Sequence, residues 1–180
     1  RSTPKPSSAA SDVYKRQIFE DKVDLDKIII ENESFDQSWD GSSKNSILSP
    51  HVVADITWQH LNEVISRNVN QISTAYKNPR IFELWRNLYT KTDYQDPHIH
   101  PHNQWSFIIY ETVPSKTVLF NPSMRDIQNQ MGNNVSCFPL DYKPLLEPGS
   151  ILIFPSFIMH MVLHGNEGTT IAGNVRIDYD

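Results

Sequence analysis

Beyond Pro79 the sequence breaks into short β-prone runs with no helical pattern between them, and this restricts the fold more than any other feature. The runs are Ile81–Tyr89, His98–Glu111, Thr117–Phe120, Ile151–Phe154, His160–Leu163 and Thr169–Ile177. Turn signals separate them: Pro114-Ser115, Asn121-Pro122, Glu147-Pro148-Gly149 and His164-Gly165-Asn166. Parallel strands would need helical crossovers, so this succession predicts an antiparallel barrel or a double-sheet jelly roll. The polar stretch Ser123 to Pro144, irregular around Cys137-Phe138-Pro139, is expected to lie over the barrel mouth.

Ahead of the strands the periodicity is that of a helix. Val53, Ile56, Leu61, Val64, Ile65, Val69, Ile72 and Tyr76 recur at three- and four-residue spacing, the mark of one buried stripe. Ser49-Pro50 reads as its cap and first position, and Lys77-Asn78-Pro79 as its end. A long amphipathic helix over about 50–77 is therefore expected outside a barrel over about 80–178. Trp58 and Tyr76 are assigned to its packing stripe. Between Ile18 and Ile30 the only strong β signal is Ile28-Ile29-Ile30, and Glu31 to Ser46 reads as a loop whose Phe35 and Trp39 pack as an outer lid. Residues 1–17 lack periodicity and resemble a translated adapter, expected to be disordered, which leaves 18–180 as one domain.

Charge and composition exclude several partners. A formal net charge of -5 without a dense Lys/Arg cluster gives no footprint for nucleic acid or an anionic membrane surface. No apolar run approaches the roughly 20 residues of a membrane-spanning helix. The single cysteine can form neither an internal disulfide nor a Cys-rich zinc site, so His and carboxylate are the available metal ligands and a cytoplasmic setting is expected.

The stretch Asp96-Pro-His-Ile-His-Pro-His-Asn-Gln-Trp-Ser-Phe-Ile-Ile-Tyr-Glu111 holds His98, His100 and His102 at alternate positions. On extended backbone such positions share a face, and borderline first-row metals accept neutral imidazole readily. Two such ligands need one more from elsewhere. Downstream, Pro148-Gly-Ser-Ile-Leu-Ile-Phe-Pro-Ser-Phe-Ile-Met-His160 supplies a turn, an apolar strand, a corner and a histidine able to face the first motif. His164 lies in a turn and is expected to be solvated, and His51 and His60 fall within the helical stretch and are read as structural.

His-x-His-Pro followed by Trp-Ser and Tyr, then Gly-x-Ile-Leu-Ile-Phe-Pro-Ser and His, then a closing Thr-x-Ala-x-Asn strand, resembles the Fe(II)- and 2-oxoglutarate-dependent oxygenases frequent in marine bacteria and their phages. The resemblance spans roughly Trp85 to Asp178. It implies a double-stranded β-helix, Fe(II) with 2-oxoglutarate as cosubstrate, and hydroxylation of a small-molecule or protein side-chain substrate by O2 with release of succinate and CO2. It also implies His98, His100 and His160 as metal ligands, with ring nitrogens within about 4 Å of one another. The wider superfamily has Asp or Glu at the second position, so a carboxylate such as Asp96 is the alternative to His100. His102, Trp105 and Ser106 are expected behind the ligands or on the substrate side. The family's usual arginine early in the last strand is missing; Arg176 is the candidate anchor for the cosubstrate, helped by Thr170, Asn174 and Tyr110, against a surface ion pair with Asp178 or Asp180. Two other functions fit a histidine-bearing jelly roll. One is a cupin-like three-histidine dioxygenase or isomerase that uses no 2-oxoglutarate, and the other a non-enzymatic binding module.

Overall fold

The computed structural model of the protein describes residues 17–38, 41–72, 79–165 and 167–177. The strands among them are β1 (Phe19–Lys22), β2 (Asp36–Gln37), β3 (Lys44–Ile47), β4 (Pro79–Tyr89), β5 (Gln95–His98), β6 (Trp105–Tyr110), β7 (Thr117–Phe120), β8 (Asp141–Tyr142), β9 (Ser150–Pro155), β10 (His160–Val162) and β11 (Gly168–Ile177). They form a large sheet in the order β1-β9-β6-β11-β4-β3-β2 and a small one in the order β5-β10-β7-β8. Every pairing between these strands is antiparallel. This is the expected jelly roll.

The large sheet is covered on both faces, which explains why β6 and β9 are buried at every position and read as unbroken apolar runs. Alternation sorts their side chains. Trp105, Phe107, Ile109, Ile151, Ile153, Ile171 and Val175 pack in one core with Leu61, Val64, Ile65 and Val69 of the helix Asp55–Val69. Ile108, Tyr110, Leu152, Phe154 and Ala172 face inward, packing with Leu119 and Ile158. Each such fully buried apolar side chain contributes about 1.5–3 kcal/mol of transfer free energy. At Gly173 a Cβ would come within 2.5 Å of the Phe107 ring and 2.8 Å of the Glu83 carbonyl oxygen, so only glycine lets Phe107 lie across β11.

Three expectations about elements need correction. The helix runs from Asp55 to Val69 rather than over 50–77, because the chain before it is held extended by the Ile30–Val53 bridge and by Ala54 N–H donating to the Ile29 carbonyl. Residues 73–78, with Tyr76, lie outside the described residues, as do Trp39 and 1–16. The presumed loop Glu31–Ser46 contributes β2 and β3, polar strands that extend the sheet edge beside β4. The insert Ser123–Pro144 forms a second helix, Met124–Met131, and a 3-10 turn, Gly132–Cys137.

The run His98–Glu111 is not one strand. It breaks after His98, and His102 takes a left-handed backbone with φ 66° in the turn. That turn carries the chain from the small sheet to the large one, so β5 and β6 lie in different layers.

Candidate metal and cosubstrate site

His98 ends β5 and is the register partner of His160, which opens β10. His100 lies two residues beyond the strand, where its N–H donates to the Ser156 carbonyl at 3.0 Å. Its ring stacks on His98 with centroids 5.2 Å apart, and both rings adjoin His160, at 4.3 Å from His98 and 5.0 Å from His100. One ligand atom from each of the three lies within 4.8 Å of the others. That is wider than the expected separation of roughly 4 Å that metal–nitrogen bonds near 2 Å permit, so the rings would have to move inward to share one metal ion. Among the described residues no carboxylate joins this group: Asp96 is exposed and contributes its backbone carbonyl instead of its side chain.

The hydrogen bonds settle which ring nitrogen carries the proton. His98 Nδ1 lies 2.6 Å from the Asp96 carbonyl, His160 Nδ1 3.1 Å from the Ile158 carbonyl, and His100 Nδ1 2.6 Å from Asn174 Oδ1. A carbonyl only accepts, and the Asn174 amide is oriented by its Nδ2 donating to Glu83 at 2.7 Å. Each Nδ1 is therefore the donor, and each Nε2 carries the lone pair. Three imidazoles presenting Nε2 are a donor set for Fe(II) and its first-row neighbours.

Burial, and then the charges of His98 and His100, hold the His160 imidazole well below its ordinary pKa. The unfolded chain then binds a proton here at a pH where the folded one does not, so this histidine costs stability as pH falls below about 6.5. The denaturation midpoint of metal-free protein is expected to drop between pH 7.5 and pH 5.5. His160→Ala should flatten that slope, and an unchanged slope would contradict the burial argument.

Behind the ligands, a row of inward positions crosses three strands: Glu83 on β4, Asn174 on β11 and Ser106 on β6 are register partners. Ser106 Oγ donates to Asn174 Oδ1 at 2.9 Å and lies 2.8 Å from Ser156 Oγ. Ser106 thus lies behind His100, joined to it through Asn174. Asn174 does too, and its carbonyl oxygen is committed to His100 rather than to a cosubstrate. Trp105 faces the opposite core, 5.9 Å from the Phe19 ring, and His102 is exposed in its turn, so neither approaches the histidines. His60 is structural, its Nε2 accepting from Asp24 N–H at 2.9 Å, and His51 and His164 are exposed.

The same cavity continues past Trp85, Ile108 and Ala172 to a polar end lined by Asn87, Tyr110, Lys116, Thr117 and Thr170. Tyr110 and Thr170 are where the sequence put them. Tyr110 is fully buried and its pKa is pushed up to about 12 by burial, so it stays a neutral hydroxyl at physiological pH. Ser115 Oγ donates to the Tyr110 oxygen at 3.0 Å, and the tyrosine hydroxyl lies 2.8 Å from Thr117 Oγ1. Lys116 escaped the sequence reading, which sought an arginine on the last strand. Its signal was its place beside Thr117, an inward position of β7.

Arg176 is on the inner side by alternation, yet its guanidinium lies 3.2 Å over the Phe82 ring and donates to Asn103 Oδ1 at 3.2 Å. It is absent from the residues lining the cavity. Two residues past Asn174 it is about 6.6 Å further along β11, away from the Tyr110 end. Arg86, the other arginine near the site in sequence, is held by Glu111 at 2.8 Å and by Glu33, on the face opposite Trp85 and Asn87.

Residues 83–170 match the family model described as "Putative 2OG-Fe(II) oxygenase". No curated protein matches the sequence. The fold is similar to a Pseudomonas putida prolyl-4-hydroxylase (14% identity, 79% of this chain and 77% of that one, TM-score 0.54). It is also similar to a 2OG-Fe(II) oxygenase-family oxidoreductase from Burkholderia pseudomallei (12%, 81% and 73%, 0.55). A third is HygX from Streptomyces hygroscopicus, solved with nickel and 2-oxoglutarate bound (11%, 97% and 87%, 0.55). At these identities the likeness is one of fold. The sequence match, which takes in all three histidines, and the triad they form rank the cupin-like enzyme and the binding module behind an oxygenase that uses Fe(II) and 2-oxoglutarate. Over residues 83–170, just under half of its length, the chain is similar to the putative 2OG-Fe(II) oxygenase family.

Proposed function

We propose that His98, His100 and His160 hold Fe(II) through their Nε2 atoms, and that the polar end of the cavity takes the distal carboxylate of 2-oxoglutarate. The observation that carries the reading is the commitment of all three Nδ1 atoms to acceptors, which presents three lone pairs from one small volume. Bound there, Fe(II) and 2-oxoglutarate supply dioxygen activation for hydroxylation of a C–H bond, with release of succinate and CO2.

The chain's own residues do the rest. Rows of inward side chains repeat every two residues along β11: Asn174 beside the histidines, Ala172 in the middle and Thr170 at the far end. The middle row, with Trp85 and Ile108, is apolar and suits the two methylenes of the cosubstrate. The far row meets a carboxylate with hydroxyls from Thr117 and Thr170 and with the Lys116 ammonium, a charge-assisted contact. Arg176 is left to the rim. The substrate is a small molecule or a protein side chain, and the single cysteine favours a cytoplasmic setting.

Purified protein supplied with Fe(II), ascorbate, O2 and 2-oxoglutarate should form succinate above a metal-free control, even without its substrate. Succinate no higher than the control, in protein that carries iron, would refute the assignment of 2-oxoglutarate.

A further inference from the structure

We propose that Asn174 is a positioning residue for His100, its amide pinned by Glu83, and that this pair sets the metal affinity of the site. The inference rests on the reading of the three histidines as metal ligands.

His98 and His160 need little help, since both stand on paired strands and both place Nδ1 against the backbone carbonyl two residues earlier. His100 has neither advantage. It lies beyond β5, on the stretch that turns toward the large sheet, and its ring partner is a side chain 74 positions away in sequence. What replaces the strand is a closed ring of hydrogen bonds. His100 N–H donates to the Ser156 carbonyl, and Ser106 Oγ donates to Asn174 Oδ1. The Ser106 proton being spent, the Ser156 hydroxyl donates to Ser106 across their 2.8 Å contact. The His100 Nδ1–H closes the ring on Asn174 Oδ1. Ser156, Ser106 and Asn174 are 0%, 1% and 4% exposed, so water does not compete for these bonds.

Asparagine can present either end of its amide, and the wrong end would put N–H2 against the ring and force the proton onto Nε2, removing the lone pair a metal needs. Glu83 prevents this. Its carboxylate, which only accepts, takes the Asn174 N–H2 at 2.7 Å from the neighbouring strand. The buried serine hydroxyl and the exposed carboxylate therefore enforce the same amide orientation from opposite sides.

The test is Co(II) binding to the whole protein by competition titration, with the cobalt visible absorption spectrum as second readout. Asn174→Leu should weaken Co(II) about 10–100-fold, the range for partners behind a ligand, and should alter the cobalt band. Glu83→Ala, at an exposed position that does not threaten folding, should weaken it about two- to tenfold, the worth of one hydrogen bond. Asn174→Asp combined with Glu83→Gln keeps an acceptor on His100 and a donor beside it, and should restore binding to within about threefold of wild type. Wild-type affinity and an unchanged band in both Asn174→Leu and Glu83→Ala would overturn the proposal while sparing the metal site. Wild-type protein that binds no Co(II) would overturn the metal site itself, and this inference with it.

Discussion

His160→Ala is expected to weaken Fe(II) or Co(II) binding by more than a hundredfold, beyond the roughly 10–100-fold typical of partners behind a ligand, while the protein remains folded. His160 is 2% exposed and is the one fully buried imidazole of the three, so it anchors the cluster to the small sheet. Its removal leaves two donors from a single short segment, His98 and His100, which do not close a metal site. The fold does not depend on it. The cores are built by Phe107, Ile109, Ile151 and Ile153 on one side and Leu119, Leu152 and Phe154 on the other, and losing the ring's contact with Phe154 costs about 1–2 kcal/mol. Metal analysis after dialysis, with circular dichroism, checks both halves. A variant that unfolds would make the histidine structural, and one that keeps its metal would remove it from the site.

Lys116→Ala is expected to raise the dissociation constant of 2-oxoglutarate about 10–100-fold on Co(II)-loaded protein, the worth of one charge-assisted hydrogen bond, with Co(II) affinity unchanged. Lys116 lines the polar end of the cavity beside Thr117, and its backbone carbonyl is fixed by Leu163 N–H at 3.0 Å. Arg176→Ala is the control. Its guanidinium is engaged with Phe82 and Asn103, and 2-oxoglutarate binding should stay within about threefold of wild type. Calorimetric titration decides between them. The reverse ranking would return the anchor to Arg176 and displace Lys116.

The positions of most strands and the convergence of His98, His100 and His160 were legible because alternation and turn chemistry are local. Thr117–Phe120 lies where Lys-Thr-Val-Leu-Phe predicts, and Tyr110, Thr170 and Asn174 all face inward as their parity requires. Other features depended on contacts between distant segments. Lys-Asn-Ser-Ile at β3 has no apolar alternation and is a strand only because β4 offers it an edge. Met124–Met131 places Met124, Ile127 and Met131 at i, i+3 and i+7 but is only eight residues long and buries none of them, too short a stripe to stand out in a polar stretch. The break between β5 and β6 rests on His102 taking a left-handed backbone, which a non-glycine residue does not advertise. Parity placed Arg176 on the inner face. It could not show that the cavity extends toward Tyr110, nor that Phe82 and Asn103 hold the guanidinium at the other end of β11.

The most direct test is anaerobic titration of the Fe(II)-loaded protein with 2-oxoglutarate, following the weak visible charge-transfer band that chelation of the iron produces. The account predicts a saturable band with one cosubstrate per iron, shifted to higher 2-oxoglutarate concentration in Lys116→Ala and absent in His160→Ala. Iron-loaded wild type that shows no band at saturating 2-oxoglutarate would contradict it.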